Sequence, residues 1–292
     1  MISGNFRYER PESLDEALDL LYEYGDVAEV LAGGQELLPR LSLGGVSPEV
    51  IIDIGRLKPL MRLRSLDGLV SLGSLVTHTQ VCDAPEIRDR IGLLKAVASK
   101  IGGGPQVRNR GTIGGSIASR NPVYDYPACL LVLEATVHLA RRDAHRSIAF
   151  DEFNSFGTGQ EACRGELLTE ISIKPPARNH HFAYEKLKFS DGCYLIAGAA
   201  CIATVDEEGC LRGVRIAVGG VSSQAVRLSN VESLVEGKNL NEKLLDEVAM
   251  VARRAIVDPI TDTLADGAYR RRVTGPLVQR ALRRVGKKEE KT

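Results

Sequence analysis

Leu31-Ala32-Gly33-Gly34-Gln35-Glu36-Leu37-Leu38 decides how the first part of the chain folds, because two adjacent glycines follow the apolar run at 28–31. That run reads as a buried strand. Residues without a β-carbon admit positive φ, so backbone amides there can converge on an anion, helped by the positive end of a following helix. A helix over 37–43 fits, with Pro39 tolerated in its first turn. Val50-Ile51-Ile52-Asp53-Ile54 reads as the next strand. Upstream, Ser13 and Glu16 have capping-box spacing, and Leu14, Ala17, Leu18 and Leu21 form a helical stripe over 13–24, stopped by Gly25. The first 55 residues therefore contain a β–glycine turn–α–β unit.

Gly111-Thr112-Ile113-Gly114-Gly115-Ser116-Ile117 repeats the glycine pattern and adds hydroxyl donors at Thr112 and Ser116. Neither segment is a Walker loop, and neither has the G-x-G-x-x-G spacing. One Gly-Gly turn is more often a structural bend, whereas two favour a long diphosphate ligand. On residues alone the reading stops at a dinucleotide or similar anion. Around these segments, 69–73, 136–140 and 167–173 read as strands, and 93–101 and 128–133 as helices. Pro175-Pro176 and the polar run to His181 mark a domain boundary. Beyond it, strands near 182–188, 195–205 and 211–218 precede helices near 241–256 and 268–285, the order of an α+β domain. The tail, 287–292, reads as disordered.

The composition excludes several classes. Lys+Arg and Asp+Glu both total 38, so no net field favours nucleic acid or an anionic membrane. No stretch approaches the roughly 20 apolar residues of a membrane span. No apolar signal core follows Met1, so a cytoplasmic location is expected. The six cysteines (82, 129, 163, 193, 201 and 210) lack C-x2-C spacing and read as reduced thiols. The histidines show no ligand spacing, His180-His181 reads as a solvated pair, and no metal site is expected.

Ala32-Gly33-Gly34-Gln35-Glu36-Leu37-Leu38-Pro39 resembles the first flavin loop of the molybdenum hydroxylase flavoproteins. These are the FAD-binding medium subunits of the carbon monoxide dehydrogenase, xanthine dehydrogenase and aldehyde oxidoreductase family. Arg108-Asn109-Arg110-Gly111-Thr112-Ile113-Gly114-Gly115-Ser116 resembles their second loop. Asn121-Pro122-Val123-Tyr124-Asp125-Tyr126-Pro127-Ala128 resembles the stretch downstream of it. Ala265-Asp266-Gly267-Ala268-Tyr269-Arg270-Arg271-Arg272 is similar to the terminal-domain signature. The resemblance implies an α+β protein. A two-part FAD-binding domain would span 1–176, with a small α/β N-terminal lobe at about 1–55 and a second lobe at 56–176. A C-terminal domain of antiparallel strands and helices would span 177–286.

By the same resemblance, FAD contacts fall on Leu31, Ala32, Gly33, Gly34, Gln35, Glu36 and Leu37, and on Gly111, Thr112, Ile113, Gly114, Gly115 and Ser116. Asp125 would bind the adenosine end, Leu168 would give an apolar contact, and Tyr194 would lie beside the flavin ring. Each of the last two has a plainer reading as core. Glu36 stands where bacterial members usually carry Ser, and a diphosphate would repel it, so it should turn away or be held by another donor. Ser116 stands where Asn or Asp is frequent, and the cysteine-bearing insertion of the benzoyl-CoA-reducing branch does not occur. Gly114→Val should abolish FAD binding with the fold intact.

Arg108 and Arg110 suit phosphate, a partner subunit or solvent; Thr77-His78 reads as a structural turn, and 269–272 as a charged helix face. The resemblance places iron–sulfur clusters on a small partner subunit and the molybdenum cofactor on a large one, in a dimer of heterotrimers. This chain's FAD would pass electrons to NAD+, a quinone, oxygen or another acceptor, with no catalytic acid or base. The alternatives are a stand-alone flavin oxidoreductase and a non-catalytic nucleotide-binding module.

Overall fold

Ser13 Oγ accepts from the Glu16 amide and opens α1 (Leu14–Tyr24), whose buried Ala17, Leu18 and Leu21 face the core. Glu16 closes the turn by accepting from the Glu12 amide, one residue before the Ser13 amide that a capping box would use. The computed structural model describes residues 5–156 and 165–287, so Cys163 and the tail beyond Lys287 lie outside the described residues. In the first lobe β1 (Arg7–Glu9), β2 (Ala28–Leu31) and β3 (Val50–Asp53) form a parallel sheet in the order β1-β3-β2. β3 is central and mostly buried, whereas β2 is only half-buried, short of the burial its apolar run implied. The glycines after β2 lead into α2 (Leu37–Ser42).

The second lobe has β4 (Leu63–Leu66), β5 (Leu69–Gly73), β6 (Thr136–Arg141), β7 (Ala144–Ala149) and β8 (Leu167–Ile173). They form an antiparallel sheet ordered β4-β5-β8-β6-β7. Between β5 and β6 run α3 (His78–Asp83), α4 (Pro85–Arg90), α5 (Gly92–Ser99), α6 (Gly104–Arg110), α7 (Ile113–Ala118) and α8 (Tyr126–Val132). A further helix, α9 (Phe150–Ser155), follows β7. Leu93, Leu94 and Val97 of α5, Tyr126 and Leu130 of α8, and Val137 and Ile171 of the sheet make up its core.

The C-terminal part has an antiparallel sheet, β12-β11-β10-β9, of β9 (His181–Lys188), β10 (Leu195–Val205), β11 (Leu211–Gly219) and β12 (Val226–Arg227). Three helices follow: α10 (Ser229–Val235), α11 (Glu242–Ala255) and α12 (Gly267–Val285). Successive residues of β10 point to opposite faces. Ala200 and Ile202 join the core of the second lobe, while Ala199, Cys201 and Ala203 pack with Val248 and Val278 of α11 and α12. The sheet is thus a middle layer between the second lobe and the C-terminal helices.

The expectation of a charged helix face at 269–272 fails at Arg270, which is fully buried. α12 lies against β10, and the guanidinium donates to the Ile196 carbonyl at 2.5 Å, the Gly220 carbonyl at 2.6 Å and Asp262 Oδ1 at 2.5 Å. Without it the buried Ile196 and Gly220 carbonyls lose their donor, whereas Asp262, partly exposed, keeps the Leu264 and Ala265 amides; an unsatisfied buried acceptor costs about 1–3 kcal/mol. Arg270→Met should therefore lose that much stability in urea unfolding, and a change near that of an exposed arginine would contradict the assignment.

Candidate functional site

The two glycine segments meet. A β-carbon on Gly33 would lie 2.1 Å from the Arg110 carbonyl oxygen and 3.0 Å from Gly111 Cα, and one on Gly115 would lie 3.9 Å from Ala32 Cβ. Gly34 takes φ 72, a left-handed conformation that favours glycine. Among the described residues, no group accepts from the amides of Gly33, Gly34, Gln35, Glu36 and Leu37. The first loop therefore presents a run of unpaired donors beside the second, a nest that fits a phosphate group. Leu31 and Leu37 pack beneath it with Leu41 and Ile51, and Gln35 Nε2 donates to the Gly33 carbonyl at 3.3 Å.

The second loop is built differently. His78 N–H donates to the Gly111 carbonyl, while the Ile113 and Gly114 amides donate to the carbonyls of Val76 and Ser74. Thr112 caps α7, its Oγ1 accepting from the Gly115 amide at 3.1 Å, and the Ser116 amide donates to the Thr112 carbonyl. These amides are already satisfied, so the loop offers a ligand close approach and the half-buried Ser116. The Ile113 side chain is fully buried in the core. A β-carbon on Gly114 would lie 2.4 Å from Ser74 Cβ and 2.5 Å from its carbonyl oxygen. Gly114→Val would thus drive the loop from its seat, which corrects the expectation that the fold would stay intact.

The 121–125 stretch joins the first loop to the C-terminal sheet. Tyr124 Oη donates to Glu36 Oε2 at 2.7 Å, so Glu36 is held by another donor. Burial first, and then the Glu36 carboxylate, push the Tyr124 phenol well above the ordinary tyrosine range. The ring of Tyr194, half exposed, has its centroid 5.5 Å from that of Tyr124. Asp125 is buried and turned toward β9, where it accepts from Tyr184 Oη at 2.6 Å and pairs with Lys186 Nζ at 2.8 Å. Burial raises the Asp125 carboxyl, and Lys186 and Tyr184 pull it back down. Leu168 lies in the second-lobe core opposite Leu139, away from any exposed surface.

Three members of this cluster were missed as contacts in the sequence: Tyr124, Lys186 and Tyr184. The period of β9 carries a signal for the second, since Tyr184 and Lys186 share a face. Thr77 completes a capping box on α3 with Gln80, in accord with a structural turn. Arg108 Nη1 donates to the Ile101 carbonyl at 3.2 Å, a local tie at the base of α6.

Residues 4–176 match the family described as the FAD binding domain in molybdopterin dehydrogenase, and residues 182–285 match the CO dehydrogenase flavoprotein C-terminal domain. The carbon monoxide dehydrogenase medium chain of Hydrogenophaga pseudoflava is 35% identical over 283 residues, covering 97% of each chain. The glyceraldehyde dehydrogenase medium chain of Sulfolobus acidocaldarius is 34% identical, covering 98% of this chain and all of that one (100%). Among solved structures, a Cu,Mo-CO dehydrogenase chain superposes with a TM-score of 0.92 at 30% identity, covering 98% of this chain and 99% of that chain.

His78 supports the second loop from below: its Nδ1 lies 3.1 Å from Tyr126 Oη, and a β-carbon on Gly111 would lie 2.7 Å from its Nε2. Burial, with the Arg108 guanidinium adding to it, lowers the imidazole from 6.5 to about 4. Between those values the unfolded chain takes up a proton that the folded chain refuses, so stability falls as the pH drops from 6.5 toward 4. The contribution approaches about 3 kcal/mol. His78→Gln should flatten the pH dependence of urea unfolding by that order across this window; an unchanged slope would contradict a neutral, buried His78.

Proposed function

The chain belongs to the family of FAD-binding medium subunits of molybdenum-dependent dehydrogenases, and from that premise we propose how it works and with what. It is an oxidoreductase flavoprotein subunit. The observation that carries the site is the meeting of the two glycine loops, with free amides at 33–37 lying beside the Gly111–Ser116 backbone. In this reading, the amides of Gly33 to Leu37 hold the diphosphate, with Leu31 and Ala32 flanking them. Gly111, Thr112, Ile113, Gly114, Gly115 and Ser116 form the opposite wall. Asp125, with Lys186 as its partner, stands at the adenosine end, and Tyr194 stands at the ring; Leu168 supports from the core. The division at 176/177 separates the FAD-binding domain from the C-terminal domain.

FAD supplies the redox chemistry when bound, accepting electrons and releasing them to an external acceptor. The chain's own residues bind, orient and shield it. Relatives are medium chains of multi-subunit dehydrogenases, which supports partners that carry iron–sulfur clusters and the molybdenum cofactor, in a dimer of heterotrimers. No helix of the described residues is long and apolar enough to cross a membrane. The five described cysteines are free thiols, which supports a cytoplasmic location.

Affinity-tagged chain isolated from its own cells should carry a visible flavin spectrum and co-purify with two other chains containing iron–sulfur and molybdenum. Isolation without flavin would overturn the FAD assignment, and flavin without partners would favour a stand-alone enzyme. Gly33→Ala should push Arg110 away and weaken FAD binding about tenfold or more, the loss of at least one charge-assisted hydrogen bond. Unchanged FAD content in the purified variant would contradict the first-loop assignment.

A further inference from the structure

Glu36 is the member of the first loop whose charge opposes a diphosphate, yet it is tied in place by a residue 88 positions away. The donor, Tyr124, is itself fixed. Its amide donates to the Asn121 carbonyl, and the neighbouring carbonyls of Pro122 and Val123 accept from the amides of Gly220 and Leu195. The Tyr124 ring is tilted 30° to that of Tyr194 at 5.5 Å between centroids, and the Tyr194 hydroxyl is among the groups that raise the Tyr124 phenol. On its other side, the Tyr194 loop is seated on the glycine cluster at 102–104, which the diphosphate site does not use. A β-carbon on Gly102 would lie 2.6 Å from the Gly192 carbonyl oxygen and 2.8 Å from that of Cys193. Gly192 itself takes φ 90. Tyr194 therefore leans on Tyr124 while its loop is held by bare backbone, and the residue remains half exposed.

We propose that Glu36 and Tyr124 are positioning residues: their hydrogen bond couples the first glycine loop to the Tyr194 ring and sets that ring against the flavin ring system. This rests on the FAD reading given above. The carboxylate orients the Tyr124 hydroxyl, Tyr124 sets the Tyr194 ring, and the loop that holds the diphosphate is thereby keyed to the wall that holds the ring. A phenol ring held against a flavin quenches its fluorescence, which gives a readout that a merely structural role would not move.

The test uses the FAD-loaded complex of the full chain with its partners, with FAD content per chain and flavin fluorescence yield measured for each variant. Tyr194→Leu should relieve the quenching in the chains that carry FAD, its yield being scaled to FAD content. Glu36→Ala and Tyr124→Phe should each lose part of the quenching, and the double variant should lose no more than either single one, as for two residues acting through one bond. Glu36→Gln retains an acceptor oxygen for the Tyr124 hydroxyl and should keep the wild-type yield, whatever the effect of the larger truncation on folding. Wild-type fluorescence in Glu36→Ala and Tyr124→Phe, additive losses, or Glu36→Gln behaving as Glu36→Ala would overturn the proposal. Unchanged fluorescence in FAD-loaded Tyr194→Leu would also overturn it while leaving FAD binding intact. Absence of FAD from the wild-type complex would instead remove the reading beneath it, and FAD content reveals that before fluorescence is read.

Discussion

A β-carbon on Gly33 would lie 2.1 Å from the Arg110 carbonyl, so the parallel lobe and the five-stranded lobe meet there through bare backbone. A joint made of side chains can repack when one of them changes; a main-chain joint cannot, because its closest atoms are already in contact. Every other feature of the site is set relative to it. The second loop is pinned by donating its amides to Val76, Ser74 and Thr112, which fixes the Arg110–Gly111 backbone as a wall. The first loop, laid against that wall, keeps its own amides free. One loop is rigid because its donors are satisfied, and the other is receptive because they are not.

The C-terminal domain completes the arrangement from a third direction. Leu195 of β10 and Gly220, just after β11, hold the 122–123 carbonyls, and Arg270 ties the same region by binding the carbonyls of Ile196 and Gly220. On β9, Lys186 and Tyr184 grip Asp125. A buried ion pair of this kind adds little net stability against its desolvation, but a shifted register would leave a buried charge unpaired. It acts as a registration device, and it makes the placement of the 121–125 stretch depend on the sheet behind it.

Much of this was legible wherever the signal is local. The Ser13 cap and the Ala17, Leu18 and Leu21 stripe locate α1, and Leu69–Gly73 and Leu167–Ile173 are strands with the bounds their apolar pattern suggests. The short strands Arg7–Glu9, Leu63–Leu66 and Val226–Arg227 are poorly buried and carry no alternation to read. The glycines of the 101–115 stretch lower its helix propensity, yet it forms α6 and the start of α7, where contacts with α3 and β8 override that weak propensity. Arg270 looks like a surface cation since its carbonyl acceptors lie 50 and 74 residues away. The partner of Glu36 was hidden for the same reason. Glycines, caps and periods are properties of neighbouring residues, whereas the satisfaction of a buried charge is a property of the folded chain.

The two carboxylates near the loops are held by different chemistry, and the difference bears on how the site gains affinity. Asp125 is neutralised by a cation, Lys186, so it adds almost no field beyond its own surroundings. Glu36 is held by a neutral phenol whose proton is fixed by burial, and among the described residues no cation lies within ion-pair distance of it. The donor persists across the working pH range, but it brings no positive charge to the carboxylate. With equal totals of 38 basic and 38 acidic residues, the chain supplies no general field to offset it. In the proposed reading, the preorganised amides at 33–37 attract a diphosphate at short range and in fixed directions. Such a site tolerates a nearby carboxylate only while that carboxylate keeps one orientation, and the Tyr124 hydroxyl supplies that condition.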